Sequence, residues 1–310
     1  MPSGQAAARP RSTSPAGRRP GARSRSDRRF FVLAALPAFI VVFLVTIVPL
    51  AAALGLSFTS YTSANPVASW AGLRNYRLLF SDPNVPTVLL VTLLFAVAAV
   101  VLEALIGTIL ALLMARKMRG VSVYRVLYLI PLMVAGIAAA VSWKALLDTS
   151  AGWVNSILGV FGIPQANWLA SPTLALPSVV IADIWTGAPI VAVLVLAALL
   201  GMPEDPLEAA RIDGASQLQV VRYIILPAIR PVLGFAVIFR TVDVFRQFGL
   251  IQILTGGGPG TKTTTLNYYI YQTVFTYGNI SYGSTLAVLL IVAMAIPLGV
   301  IYLLTRRREI

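Results

Sequence analysis

Residues 203–227 read PEDPLEAARIDGASQLQVVRYIILP, a charged, amphipathic stretch set between two long apolar runs. Asp205 can cap a first short helix, Pro206 suits its first turn, and Glu208, three residues after Asp205, completes a capping box. Gly214 can take the left-handed conformation that stops this helix. Ser216 and Gln219 repeat the capping-box spacing and open a second helix carrying Leu218, Val220, Val221, Ile224 and Ile225, with Pro227 and Pro231 as its bounds. The spacing therefore predicts a helix–turn–helix knob. Its surroundings decide what the knob is for.

Outward from it the chain is written for lipid. Of 310 residues, 58% are hydrophobic and 11% charged, against about a quarter charged in soluble domains. Six segments, roughly 30–57, 86–115, 122–147, 178–201, 231–255 and 282–305, reach the ~20 apolar residues that cross a hydrocarbon core of about 30 Å. The expected fold is an all-α polytopic membrane bundle of six transmembrane helices. Prolines inside the spans (Pro37, Pro49, Pro131, Pro189, Pro297) are expected to kink them without breaking them, because neighbouring helices can satisfy the freed backbone groups.

The sequence holds neither cysteine nor histidine, which excludes disulfides, thiol nucleophiles, imidazole bases and the commonest metal ligands. No metal or cofactor is expected. The net charge of +13 is distributed as membrane proteins distribute it, so lipid and not nucleic acid is the expected partner. Eighteen Lys and Arg fall in residues 1–29, the 116–125 loop, the 203–230 loop and the C-terminal tail, against three (Arg74, Arg77, Lys262) in the other loops. By the positive-inside rule both termini and the knob are cytoplasmic. Residues 1–29, rich in Arg, Ser, Pro and Gly, read as a disordered basic arm. The Arg28-Arg29 pair faintly resembles a twin-arginine signal, but the apolar run after it far exceeds the ~7–15 residues of a signal h-region.

Glu208-Ala209-Ala210, three residues, Gly214, nine residues and Ile224-Ile225-Leu226-Pro227, with Asp213-Gly214-Ala215 between, resemble the EAA loop of binding-protein-dependent ABC importer permeases. A second stretch resembles the maltose-type, carbohydrate-uptake branch: Leu254–Gly260, Thr264-Thr265-Leu266, Tyr268-Tyr269-Ile270-Tyr271, Phe275 and Gly283-Ser284, with Asn155 and Leu158 in an outer loop. The resemblance covers residues 30–308 and implies a type I importer permease domain whose coupling loop is 203–230. It implies that Glu208, Ala209, Ala210, Asp213 and Gly214 dock on a cytoplasmic ABC ATPase dimer. It also implies a second permease subunit as heterodimer partner, an extracytoplasmic solute-binding protein, a di- or oligosaccharide substrate, the bacterial inner membrane, and no catalysis by the chain itself. The large outward domain of some maltose-type members is absent, so the binding protein must be recruited by short loops.

Ionisable residues inside the spans cost about 2.5–3.5 kcal/mol each on insertion scales and must face protein or a wet cavity. They are Glu103, Lys144, Asp183, Arg240, Asp243 and Arg246. Matching their depths pairs Glu103 with Arg240 or Asp243, and Asp183 with Arg246 or Lys144, while Lys144 and Asp148 also stand at i,i+4. Either these are ion pairs that lock the bundle or some line the sugar path. On the second reading the candidate substrate-binding residues are Asp183, Thr186, Gly187, Arg240, Asp243 and Gln247, with Trp185 as a stacking platform or an interfacial anchor. A rival substrate is glycerol-3-phosphate or another polyol phosphate, held by Arg240 and Arg246. An intramembrane enzyme would need catalytic groups clustered at one depth, and a secondary transporter would show uptake driven by an ion gradient. Gly256–Thr263 superficially suggests a phosphate loop, but no glycine directly precedes Lys262 and no strand–helix unit surrounds it.

Overall fold

A computed structural model describes residues 25–116 and 120–306, with side chains described for 34–116 and 120–303. The expected disordered arm therefore lies largely outside the described residues, and Arg25–Arg29 belong to the first helix. The chain divides into two units, Met1–Ala52 and Ala53–Ile310. The first contains most of α1 (Arg25–Leu56), whose Ala34–Leu56 stretch is apolar and long enough to span.

The second unit is a helical bundle. Its order is α2 (Arg74–Ser81), α3 (Asn84–Met114), α4 (Val121–Met133), α5 (Gly136–Leu146), α6 (Trp153–Val160), α7 (Ala175–Leu200), α8 (Asp205–Ile212), α9 (Gln217–Val220), a π turn (Val221–Ile225), α10 (Leu226–Phe245), α11 (Gly249–Leu254), α12 (Leu266–Tyr271), a second π turn (Gln272–Thr276) and α13 (Ile280–Arg306). Among the described residues, five helical stretches are long and apolar enough to span a membrane, and six if the bent pair α4 and α5 counts as one.

The closest packing is between α3 and α7, and α10 packs on both. Each helix presents a buried ridge of residues four apart: Ala99, Glu103, Gly107 and Ala111 on α3, and Val179, Asp183, Gly187, Val191 and Val195 on α7. Small side chains let backbones approach in lipid, where dispersion and hydrogen bonding replace the hydrophobic drive. Gly107 shows the closeness: a Cβ there would lie 2.7 Å from Val191 Cβ and 2.8 Å from the Ala188 carbonyl. Around this seam, Phe95, Ala99, Val179, Ala182, Phe245 and Ile251 form the main apolar core.

Two spans differ from expectation. The 122–147 segment does not kink but breaks: α4 ends just after Pro131, Val134 and Ala135 are extended, and α5 restarts at an angle of 101°. Three unlike features meet there, a proline without an N–H, two extended residues and Gly136, so the helix is cheaper to restart than to bend. The 231–255 segment is shifted. Its helix starts as early as Gln217, runs 29 residues to Phe245, and residues 249–254 become the separate α11, which packs on α5. Pro227 and Pro231 therefore do not bound the second knob helix. The π turn directly before Pro227 takes up the register change, and the Leu226 N–H donates to the Val221 carbonyl.

Two of the connecting loops are held by single polar side chains. Asn155 is buried at the start of α6; its Nδ2 donates to the carbonyls of Thr149 and Ala166, both at 3.0 Å, and its Oδ1 accepts from Ala166 N and Trp168 Nε1. Asp148 does not pair with Lys144. It caps its own turn, accepting from Ser150 N, Ser150 Oγ and Ala151 N, and these donors hold its carboxyl below the usual range.

Candidate functional site

Half-way along α7 a buried polar cluster joins three spans. Arg240 of α10 grips Glu103 of α3 with two bonds, Nε to Oε2 at 2.7 Å and Nη2 to Oε1 at 2.8 Å. The same guanidinium reaches Asp183 Oδ2 of α7 at 3.3 Å and donates through Nη1 to Asp243 one turn along α10. Gln247 closes the ring, its Nε2 donating to Asp183 Oδ1 at 2.9 Å. Two-point pairing of guanidinium with carboxylate is the geometry arginine is built for.

The sequence pairing was right for Glu103 with Arg240 and wrong for Asp183, which takes Arg240 and Gln247 in place of Arg246 or Lys144. Depth counting missed this because it started the Arg240 span at residue 231, whereas the helix starts at Gln217, so Arg240 stands farther along the bundle than the count gave, within reach of Asp183. Gly187 also has a different use. A Cβ there would collide with the Glu103 carboxylate and the Arg240 guanidinium, so this glycine makes room for the ion cluster and not for a sugar ring. Thr186 spends its hydroxyl on the Asp183 carbonyl at 3.0 Å.

Exposure sorts the members of the cluster. Glu103, Asp183 and Arg240 are buried to within 2% of full occlusion, whereas the Asp243 side chain is 53% exposed and Gln247 is partly so. Asp243 and Gln247 are thus the accessible members of the cluster, and Glu103, Asp183 and Arg240 its buried ones. Phe235 and Phe239 continue the exposed side of α10 one and two turns below Asp243, with ring centroids 6.4 Å apart. Glu103 was absent from the sequence-derived site list, and its signal was available: a lone carboxylate among apolar residues at the depth of Arg240.

The knob forms at the other end of the same helix. Ser216 and Gln219 make the reciprocal capping box, with Ser216 N to Gln219 Oε1 at 2.7 Å. Gly214 is left-handed at φ +78°. At α8 the expected box is absent: the N-cap position is Glu204, no side-chain bond caps the helix, and Asp205 and Glu208 lie together in the first turn, where their charge favours the helix dipole. Glu208, Ala209, Asp213 and Gly214 are exposed and Ala210 partly so. Ile212 and Leu218 stand 86% and 77% exposed beside them, an apolar pair that water alone does not explain.

These observations meet the comparisons with known proteins. Residues 105–309 match the family described as binding-protein-dependent transport system inner membrane component. The chain belongs to that family. It is 35% identical over 86% of its length to the trehalose/maltose transport system permease protein MalF of Thermococcus litoralis, covering 90% of that protein. It is 34% identical over 90% of its length to the trehalose transport system permease protein SugA of Mycobacterium tuberculosis, covering 89% of it. Its fold is similar to that of a solved bacterial ABC transporter involved in import of the acidic polysaccharide alginate, with a TM-score of 0.79, 21% identity, and 91% and 96% of the two chains covered. As a member of this family the chain is a multi-pass inner membrane transport subunit, all-α and of the type I importer permease fold.

One further polar tie was missed from sequence. Asp82, at the start of α3, accepts from Tyr269 Oη of α12 at 2.8 Å, from Tyr282 Oη of α13 at 2.7 Å, and from Asn84 N at 2.9 Å. Partial burial opposes its charge, but these donors prevail and lower the Asp82 carboxyl, while burial and Asp82 push the Tyr269 phenol up to about 12. Because the folded-state value is depressed, the tie contributes stability above the ordinary carboxylate pKa of about 3.9 and loses it as pH falls through the folded value. Tyr269→Phe and Tyr282→Phe should each cost about 1 kcal/mol at neutral pH, and each cost should shrink as pH falls below the ordinary carboxylate range and through the depressed Asp82 value. Thermal unfolding of the two variants followed from neutral into acid pH checks this, and a cost that does not change on acidification would contradict the assignment.

Proposed function

We propose that this chain is one permease half of an ABC importer for a neutral di- or oligosaccharide, with both termini and residues 203–230 in the cytoplasm. The observation that carries the reading is the unbroken helix Gln217–Phe245. It begins in the exposed knob and ends in the Arg240 cluster, so a push on Gly214–Gln219 travels along one rigid element to mid-membrane. The knob is read as the docking site of a separate cytoplasmic ATPase, with Glu208, Ala209, Ala210, Asp213 and Gly214 at the contact. A second, similar permease would cover the exposed side of α10, and an extracytoplasmic binding protein would deliver substrate to the outer loops. The relatives named for trehalose, maltose and sulfoquinovosyl glycerol transport support a saccharide.

Electrostatics favours a neutral sugar over a polyol phosphate. Three carboxylates surround the one guanidinium, so Arg240 has no unneutralised charge to offer an anion, and an approaching phosphate meets Asp243 first. Sugar hydroxyls both donate and accept, which suits the Asp243 carboxylate and the Gln247 amide.

The test is Asp243→Ala in the assembled transporter. ATP-dependent uptake of a neutral disaccharide per assembled complex should fall by about tenfold, the loss of one charge-assisted hydrogen bond of about 1.4 kcal/mol, with complex yield preserved. A loss of yield with normal uptake per complex would place Asp243 in the structural lock and remove it from the substrate path.

A further inference from the structure

A cleft of about 450 Å³ opens on the cytoplasmic part of the long helix, lined by Arg222, Tyr223, Leu226, Pro227, Arg230 and Leu233. Both arginines are exposed, and neither has an ion-pair partner among the described residues. The Arg222 guanidinium lies 5.7 Å from the Tyr223 ring centroid, a contact that orients it without neutralising it. Leu226 and Leu233 pack against the buried cluster that includes Val195 and Ile229. The floor of the cleft is thus apolar and anchored in the bundle, while its rim is doubly cationic.

Depth places this cleft. Arg230 stands ten residues before Arg240, about 15 Å along the helix axis, and half of a hydrocarbon core of about 30 Å is the same distance. Arg240 lies against Gly187, half-way along α7, so Arg230 falls at the hydrocarbon boundary and Arg222 on its polar side. Leu233 lies on the hydrocarbon side. The order apolar, cation, cation along one helix matches the order acyl chain, phosphate, outer headgroup in a phospholipid.

We propose that this cleft is a binding site for an anionic phospholipid, its phosphate held by Arg230, its headgroup by Arg222 and Tyr223, and the start of its chains along Leu233. Guanidinium groups bind phosphate oxygens in pairs, and basic pockets at the cytoplasmic boundary attract anionic lipid. A soluble phosphate would leave the leucine floor uncovered, and a lipid covers it. The proposal rests on the membrane reading and the orientation of the bundle, and is independent of which sugar is carried. Because the site is part of the helix that links the knob to the Arg240 cluster, lipid bound there would also stiffen the coupling element.

The experiment uses the assembled transporter in nanodiscs of phosphatidylcholine containing phosphatidylglycerol, with retained lipid and subunit stoichiometry read together by native mass spectrometry. Wild type should retain phosphatidylglycerol in preference to phosphatidylcholine. Arg222→Gln/Arg230→Gln should bind it about 30-fold more weakly, the effect expected for removing two cations beside an anionic headgroup. Arg222→Lys/Arg230→Lys should keep most of the retention, and Arg77→Gln, on the opposite side of the membrane, all of it. Unchanged phosphatidylglycerol in the double glutamine variant overturns the proposal. So does loss of a partner subunit with lipid count unchanged, which would make the cleft a protein contact.

Discussion

Arg240→Met should remove most of the assembled permease from the membrane. The substitution leaves Glu103 and Asp183 buried, facing each other without a cation, and breaking a buried ion pair by deleting one partner costs about 3–5 kcal/mol. Set against net stabilities of about 5–15 kcal/mol, that is a large share of what holds α3, α7 and α10 together. Arg240→Lys should be intermediate, because an ammonium can meet one carboxylate well but cannot reproduce the two-bond grip on Glu103. Removing charge on both sides, as in Arg240→Met with Glu103→Leu, should recover yield relative to Arg240→Met alone, since one of the two stranded carboxylates is gone. Yield of the detergent-extracted complex, measured beside uptake per complex, separates the outcomes. Wild-type yield with lost uptake for Arg240→Met would mean that the cluster is a substrate site and not a lock.

The second large effect is expected at Gly214. Its φ of +78° is unfavourable for a residue with a Cβ, yet nothing lies within 4 Å of where that Cβ would be. The cost of Gly214→Val is therefore one of backbone conformation, about 1–2 kcal/mol, and is relieved if the turn changes and α8 swings relative to α9. Because the knob is exposed, the bundle should insert normally. ATPase retained on the purified permease should fall about tenfold, the equivalent of 1.4 kcal/mol, and uptake with it. Gly214→Asn should be much milder, since asparagine tolerates the left-handed region. Ile212→Asp and Leu218→Asp should mimic the valine variant without touching the turn, by charging the two most exposed apolar positions of the knob. Normal ATPase retention in all three would refute the docking assignment.

The knob was the most legible part of the molecule. Gly214 and the Ser216–Gln219 box follow from local rules, and the structure forms both. The α8 cap was misread because a carboxylate three residues from another carboxylate satisfies the box pattern on paper, while the helix begins one residue earlier and uses both charges in its first turn. Of the candidate binding residues, Asp183, Arg240, Asp243 and Gln247 do meet. The i, i+3, i+7 spacing of Arg240, Asp243 and Gln247 was visible in advance, as was the pairing of Arg240 with Glu103; the reach of Arg240 and Gln247 to Asp183 was not.

Composition, run length and the split of basic residues by themselves determined that this is a helical membrane protein with spans near 30–57, 86–115, 178–201 and 282–305, since a bilayer admits few alternatives for long apolar runs. Spacing within 203–227 determined the knob, and the resemblance of its residues to the EAA loop pointed to the family. Tertiary structure alone decided where α4 breaks from α5, that α10 runs unbroken from the knob to the cluster, and that Gly187 makes room for an ion pair. Those outcomes depend on which backbones approach within a side chain's reach: depth matching reached the pair of Glu103 with Arg240, but not that of Arg240 with Asp183, 57 residues apart in the chain. No local rule reaches that far; the close packing of α3 on α7, made possible by Gly107, does.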